Sequence, residues 1–418
     1  MPANEFADDT VLARFLRYAA FDTQSDPEST AAPSAAKEFA LAAELLEELR
    51  GLGLEAFLTD TGIVYGSIPA TTGLEDRPAI GMIAHMDTSP DAPGAGVTPQ
   101  IIRVTGGDIV LNTEKNIVFS VAQFPEILRY TGEDVVFTDG TTLLGADDKA
   151  GIAAIMTMAA HLVRNPDIPH ARIAISFTPD EEIGRGTENF DIARFGAAYA
   201  CTFDGGELGE LESENFNAAS ATLTVAGVGV HPGAAKNKMV NAARIAANFA
   251  ARLPVDLAPE TTEGREGFLH PHEISGSVTD ARVVILIRDH DKTLFEAKKT
   301  FLRDLAAEFA AENPRAGIRL EITDSYENMR PYVERTPAVM ALVREAFADA
   351  GVTPVELPIR GGTDGAMLSV RGLPCPNIFT GGLNYHGVYE CLPVRSLEKA
   401  AEVAVALARR SATLESLL

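Results

Sequence analysis

The stretch Ala171-Arg172-Ile173-Ala174-Ile175-Ser176-Phe177-Thr178-Pro179-Asp180-Glu181-Glu182 decides the fold. Its first seven residues are short and mostly apolar, as suits a strand covered on both faces of a sheet. The run then breaks at a proline followed by three carboxylates. Two other segments repeat the design. Pro78–Ala84 is nearly continuous in apolar residues and ends at His85-Met86-Asp87, and Ala198–Phe203 ends at Asp204-Gly205-Gly206. Between them, Thr142-Leu143-Leu144 leads into Gly145, and a helical pattern runs from about Lys149 to Val163. This alternation predicts an α/β fold, a mostly parallel sheet flanked by helices, with its chemistry at the carboxyl ends of the strands.

Outward from this core, residues 8–20 and 34–52 read as amphipathic helices. Residues 54–69 read as two strands around Asp60-Thr61-Gly62, and 98–136 as turns and short strands. From about residue 217 the pattern changes. Asn217–Gly227 alternates like a half-exposed strand, Met239–Leu253 is helical, and Ser275–Arg288 has strand character with a break near Asp280. Asp291–Glu312 is helical and Ile318–Ile322 is a strand. The order β-α-β-β-α-β is that of a ferredoxin-like α+β unit. The first pattern resumes after about 328, with a helix at 337–350, a strand at 353–358 and a closing helix at 396–412. The expected organisation is one domain made of 1–216 and 328–418, with 217–327 inserted into it.

The chain has 418 residues, 46% of them hydrophobic, and a formal charge of −24 from 35 basic and 59 acidic side chains. With no Lys/Arg-rich run, nucleic acid and anionic membranes are disfavoured as partners. Cys201, Cys375 and Cys391 are far apart and odd in number, which fits buried thiols in a reducing compartment. The acidic N-terminus MPANEFADDT does not resemble a signal peptide, and no apolar run is long enough to span a bilayer. A cytoplasmic protein is expected.

Each strand-end group has a plain structural reading of its own. His85 can be an ordinary strand-end histidine, Asp147-Asp148 can cap a helix, and Asp204 can open a glycine turn. Asp180-Glu181-Glu182 can be a solvated acidic loop, and His386 in Gly381-Gly382-Leu383-Asn384-Tyr385-His386-Gly387 an exposed loop histidine. Together they amount to two His and three carboxylates, plus a spare Glu, and that set suits a metal site. Clustered carboxylates raise one another's pKa, and cations relieve that repulsion. Asp87, two residues beyond His85, shares its strand face and can accept the other ring N–H. Asp147 can bridge two metals roughly 3.5–4 Å apart. Glu182 is then a ligand, and Glu181 a general base that shuttles a proton from water to the leaving amine.

The segments GMIAHMDTSPD, LLGADDKAGIA, SFTPDEEIGRG, FDGGELGELESENFNAA, HPGAAKNKMVNA, RGGTDGA and LPCPNIFTGGLNYHG resemble the peptidase T family, tripeptide aminopeptidases among the co-catalytic zinc peptidases. The likeness covers nearly the whole chain. It implies two Zn2+ per subunit, His85 and Asp204 on one, Glu182 and His386 on the other, and Asp147 bridging. It also implies Glu181 as general base, Asp87 supporting His85, and a cis bond at Asp147–Asp148. The inserted domain becomes a lid or dimerisation domain. His231 looks like the lid histidine that meets the scissile carbonyl oxygen; read without the family, it is a loop His before Pro232. Asn241 and Arg288 are further candidate substrate contacts. Arg360 is a candidate for a peptide carboxylate, or else a partner of Asp364. After His386 the run Gly387-Val388-Tyr389-Glu390-Cys391-Leu392-Pro393 departs from the family's more polar HGKHEF-like pattern, and an EGF-type lid segment carries two histidines, His270 and His272, nearby.

The expected function is removal of the N-terminal residue from tripeptides with a free amino terminus, by a monomer or homodimer. One rival is a related amidohydrolase, an N-acyl amino acid deacylase or carboxypeptidase. Another is a peptide-binding protein without turnover.

Overall fold

The computed structural model describes residues 10–418; residues 1–9, which include the start of the helix expected over 8–20, lie outside it. The chain divides into two compact units. One holds the described residues up to Ser213 together with Met329–Leu357 and Thr363–Leu418; the other holds Glu214–Asn328 and Pro358–Gly362.

In the first unit, eight strands form one sheet among the described residues. From edge to edge the order is Glu55–Leu58, Val64–Ile68, Ile173–Thr178, Ile80–His85, Tyr199–Gly205, Asn377–Phe379, Glu210–Glu212 and Val355–Glu356. The centre is parallel: Ile80–His85 pairs in parallel with both Ile173–Thr178 and Tyr199–Gly205, and Asn377–Phe379 continues in parallel beside the latter. Val64–Ile68 closes one side antiparallel. Every residue of Ile80–His85 and Ile173–Thr178 is buried, as expected for apolar runs covered on both faces. The helix Ala146–Arg164 packs on the central strands, with Val394–Ser411 against it. The opposite face carries Tyr65, Phe190 and Phe195, with ring centroids 5.4 Å apart for Tyr65–Phe190 and 5.1 Å for Phe190–Phe195. Gly81 has no side chain because the Phe195 ring occupies the space: a Cβ there would lie 2.4 Å from Cε1.

Two strands of this sheet escape a pattern reading. Glu210–Glu212 and Asn377–Phe379 are three residues each, too short to show a period. The strand expected at 353–358 shrinks to Val355–Glu356.

The second unit is a four-stranded antiparallel sheet in the order Phe268–Gly276, Asp280–Asp289, Asn217–Ala226, Gly317–Tyr326. The helices Ala242–Ala250 and Lys292–Glu312 bury Phe249, Phe295, Leu302 and Phe309 against one face. That is the ferredoxin-like order. The strand character expected over Ser275–Arg288, with its break near Asp280, is a hairpin whose first strand begins earlier, at Phe268. Pro271 and a register shift between Pro271 and Glu273 hide the period of this edge strand. Pro358–Gly362 joins this unit because Ile359 bridges Asn215. Arg360 also donates to the carbonyls of Gly264 (3.0 Å) and Glu266 (2.9 Å).

Candidate metal centre

Parallel pairing brings the carboxyl ends of three strands together, with His85 opposite Thr178 in register. Beyond Thr178, Asp180 takes a left-handed backbone (φ 60°) and opens the 3-10 turn Glu181–Ile183. Both Asp180 oxygens accept from the Ser34 amide, at 3.0 and 2.8 Å, and Glu38 accepts from the Asp180 amide at 3.3 Å. These contacts pin the turn that presents Glu181 and Glu182. Asp147 comes from the start of Ala146–Arg164, after Gly145 (φ 75°), where Asp147 and Asp148 are themselves non-helical; the Asp147–Asp148 bond is cis. His386 has φ 62° in its glycine-rich loop.

Among the described residues, two groups of donor atoms lie within 4.8 Å of one another: His85, Asp147 and Asp204, and Asp147, Glu182 and His386. Asp147 belongs to both. Its Oδ1 lies 2.8 Å from His85 Nε2, which is also 3.4 Å from Asp204 Oδ1. Its Oδ2 lies 3.3 Å from His386 Nε2, which is also 3.0 Å from Glu182 Oε2. Glu181 stands outside both groups.

Proton affinities in this cluster are displaced in the way converging carboxylates require. Burial, and then the charge of Asp204, push Glu181 well above the usual carboxylate range. Burial, and then Asp147, raise Glu182 to about 7; burial raises Asp204 to about 6 against the pull of His85. Hydrogen bonds to Asp147 and Glu182 lift His386 to about 11. Burial would lower His85, but Asp204 and Asp147 override it, and its pKa is well above normal. Burial would likewise raise Asp147, yet the two imidazoles hold it below its ordinary value. Protons held on the imidazoles and on the raised carboxylates thus offset the charge of Asp147, and divalent cations would displace them. Two imidazoles and three carboxylates, with one carboxylate facing both ways, fit a pair of borderline-hard cations such as zinc.

The supporting groups differ in detail from the expected ones. The His85 Nδ1 faces the Asp87 backbone carbonyl at 3.0 Å, with the Asp87 carboxylate farther off at 3.4 Å. That carboxylate also accepts from the amides of Glu181 (2.9 Å) and Glu182 (3.1 Å). Asp148 accepts from the amides of His85 (3.1 Å) and Gly151 (3.2 Å). Pattern reading missed Glu390, whose buried carboxylate accepts from Leu144, Gly145 and Asp147; its only sequence signal was its place four residues after His386.

In the second unit, His231 is exposed, and its Nδ1 accepts from the Gly233 amide at 3.2 Å, which leaves the ring proton on Nε2. Asn241 caps the helix Ala242–Ala250 through the Arg244 amide. Arg288 donates to the carbonyls of Ala219 and Ile287, 3.1 and 2.9 Å away. Arg360 also donates to Thr262 (2.9 Å), with its guanidinium 5.2 and 5.7 Å from the Phe216 and Phe268 rings. Asp364, in the first unit, accepts from Thr178 at 2.6 Å.

Paired donor groups sharing one carboxylate, at the carboxyl ends of a parallel sheet, define a metal-dependent hydrolase. The family described as peptidase family M20/M25/M40 matches residues 141–410. The chain is 50% identical to a peptidase T of Parabacteroides distasonis over 404 residues, 96% of this chain and 99% of the relative. It is 48% identical to a peptidase T of Geobacillus thermodenitrificans, covering 94% and 96%. Among solved structures it resembles an aminopeptidase PepT of Bacillus cereus (TM-score 0.74, 23% identity, 97% and 99% covered). It also resembles a tripeptidase of Staphylococcus aureus (TM-score 0.77, 21% identity, 97% and 99% covered). The chain belongs to peptidase family M20/M25/M40, within its peptidase T branch, and is a metallo-aminopeptidase.

Proposed function

We propose that the enzyme removes the N-terminal residue from tripeptides, using two Zn2+ per subunit. His85 and Asp204 would hold one cation, Glu182 and His386 the other, with Asp147 between them. The observation that carries this is the two-sided Asp147, each oxygen facing a different imidazole–carboxylate pair. When bound, the cations supply Lewis-acid polarisation of the scissile carbonyl and make water a nucleophile at neutral pH. Glu181, free of both donor groups and of raised proton affinity, takes the proton of the attacking water and delivers it to the leaving amine. Asp87 orients Glu181 and Glu182 through their amides. On the family resemblance, His231 donates its Nε2–H to the developing oxyanion. Asn241, Arg288 and Arg360 are further candidate substrate contacts on the same resemblance, each also bonded within its own unit.

Cytoplasmic residence is part of the same proposal. It is supported by three buried, unbridged cysteines, and among the described residues no helix is long and apolar enough to cross a membrane.

The test is Glu181→Gln, assayed on tripeptides with free and blocked amino termini alongside metal content. Full metal with cleavage lowered roughly 10²–10⁴-fold is expected. Retained cleavage at full metal loading overturns the role of Glu181, and preference for blocked substrates overturns the aminopeptidase reading.

A further inference from the structure

Glu390 lies outside both donor groups, yet its side chain is only 2% exposed. Its Oε2 accepts from the amides of Leu144 (2.7 Å) and Gly145 (2.8 Å), and its Oε1 from the amide of Asp147 (3.0 Å). These three amides line the turn that delivers Asp147. Gly145 is left-handed and Asp147 non-helical, so helix geometry offers the amides no acceptor. Left unpaired in a buried place, each would be destabilising. A carboxylate is well suited to the position, because both its oxygens accept and its charge strengthens each bond.

The same residue belongs to the loop that carries His386. The Glu390 amide donates to the Gly387 carbonyl at 3.1 Å, and Leu383 and Cys391 close the loop with reciprocal bonds of 2.8 and 3.0 Å. One side chain therefore ties the Asp147 turn to the His386 loop, across 243 residues of sequence. We propose that Glu390 is a positioning residue that sets the spacing of Asp147 and His386 for the second cation. This rests on the ligand assignment made above, and Glu390 itself touches neither cation nor substrate.

The test compares the full-length parent with Glu390→Gln and Glu390→Asp. Gln is isosteric but keeps a single acceptor oxygen. With that oxygen on Leu144 and Gly145, its NH2 opposes the Asp147 N–H. Stoichiometry and affinity for Zn2+ are read by competition with a chromophoric chelator, alongside the denaturation midpoint of the metal-free protein and kcat and KM on a tripeptide. Expected for Glu390→Gln is an affinity for the second Zn2+ lowered about 10–100-fold, with kcat reduced more than KM is changed. Glu390→Asp, which keeps both acceptors on a shorter stem, is expected to fall between Gln and parent.

A parent that binds no cation pair sinks the ligand assignment, and this proposal with it. A parent that binds two Zn2+, beside a Gln variant with unchanged affinity, sinks this proposal alone. So does a Gln variant that loses only metal-free stability. If Glu390→Gln fails to fold, Glu390→Asp decides: weakened binding of the second Zn2+ supports the proposal, and parental binding overturns it.

Discussion

Replacing Gly151 by Ala sets two effects of opposite sign against each other. On helix propensity alone, Ala stabilises a helix interior by about 1 kcal/mol over Gly. Gly151, however, is where the helix Ala146–Arg164 meets the strand Tyr199–Gly205, which carries Asp204. A Cβ at this position would lie 2.0 Å from the Phe203 carbonyl oxygen and 2.5 and 2.8 Å from the Asp148 carboxylate oxygens. Carbon–oxygen contacts settle at roughly 3.3–3.6 Å, so helix and strand must part by about 1.3 Å at this point or distort. Overpacking of this kind costs roughly 1–3 kcal/mol, enough to reverse the propensity gain. The displaced atoms precede Asp204, follow Asp147 and hold the His85 amide, so ligands of both donor groups move. A misplacement of about 1 Å at a catalytic site can cost on the order of 100-fold in rate. Urea denaturation and tripeptide kcat/KM on Gly151→Ala should show both losses. Gly51→Ala, where nothing lies within 4 Å of the added Cβ, should show neither. Parental stability and parental activity in Gly151→Ala would refute the close-approach argument.

Chelation should abolish cleavage and lower the denaturation midpoint, since cations that bind the native state alone add about 2.7 kcal/mol at a hundred times Kd; an unchanged midpoint on adding Zn2+ back counts against the site. Asp87→Asn replaces one of two amide acceptors by a donor and should cost about 1–3 kcal/mol, a loss visible in the urea midpoint and absent if Asp87 serves His85 alone. Burial, and then Asp87 and Asp180, raise Glu38 from 4.5 to about 9. Its folded pKa exceeds its unfolded one, so the stability it contributes is complete below about 4.5 and erodes as pH rises towards 9. Glu38→Gln should therefore compare least favourably with the parent near pH 5 and gain on it by pH 8.5; parallel stability curves for the two proteins would contradict this.

By itself the sequence determined the class of fold and the places where chemistry gathers. Runs such as Ile80–His85 and Ile173–Thr178 are buried on both faces, so they are mostly apolar, and a His or carboxylate at their ends stands out against that background. Gly145 before Asp147 and the glycine-rich loop of His386 were legible for a similar local reason; Gly145 and Gly381 take left-handed backbone, which favours glycine. Periodicity could not show strands of three residues, nor an edge strand interrupted by Pro271. Nor could it show that the Asp87 carboxylate serves the amides of Glu181 and Glu182, or that Arg360 bonds Gly264, Glu266 and Thr262. The two-sided use of Asp147 and the grip of Glu390 on its turn were decided only by tertiary structure. A side-chain pattern records which face of one segment is dry; which amide meets which oxygen across 243 residues depends on how separate segments pack.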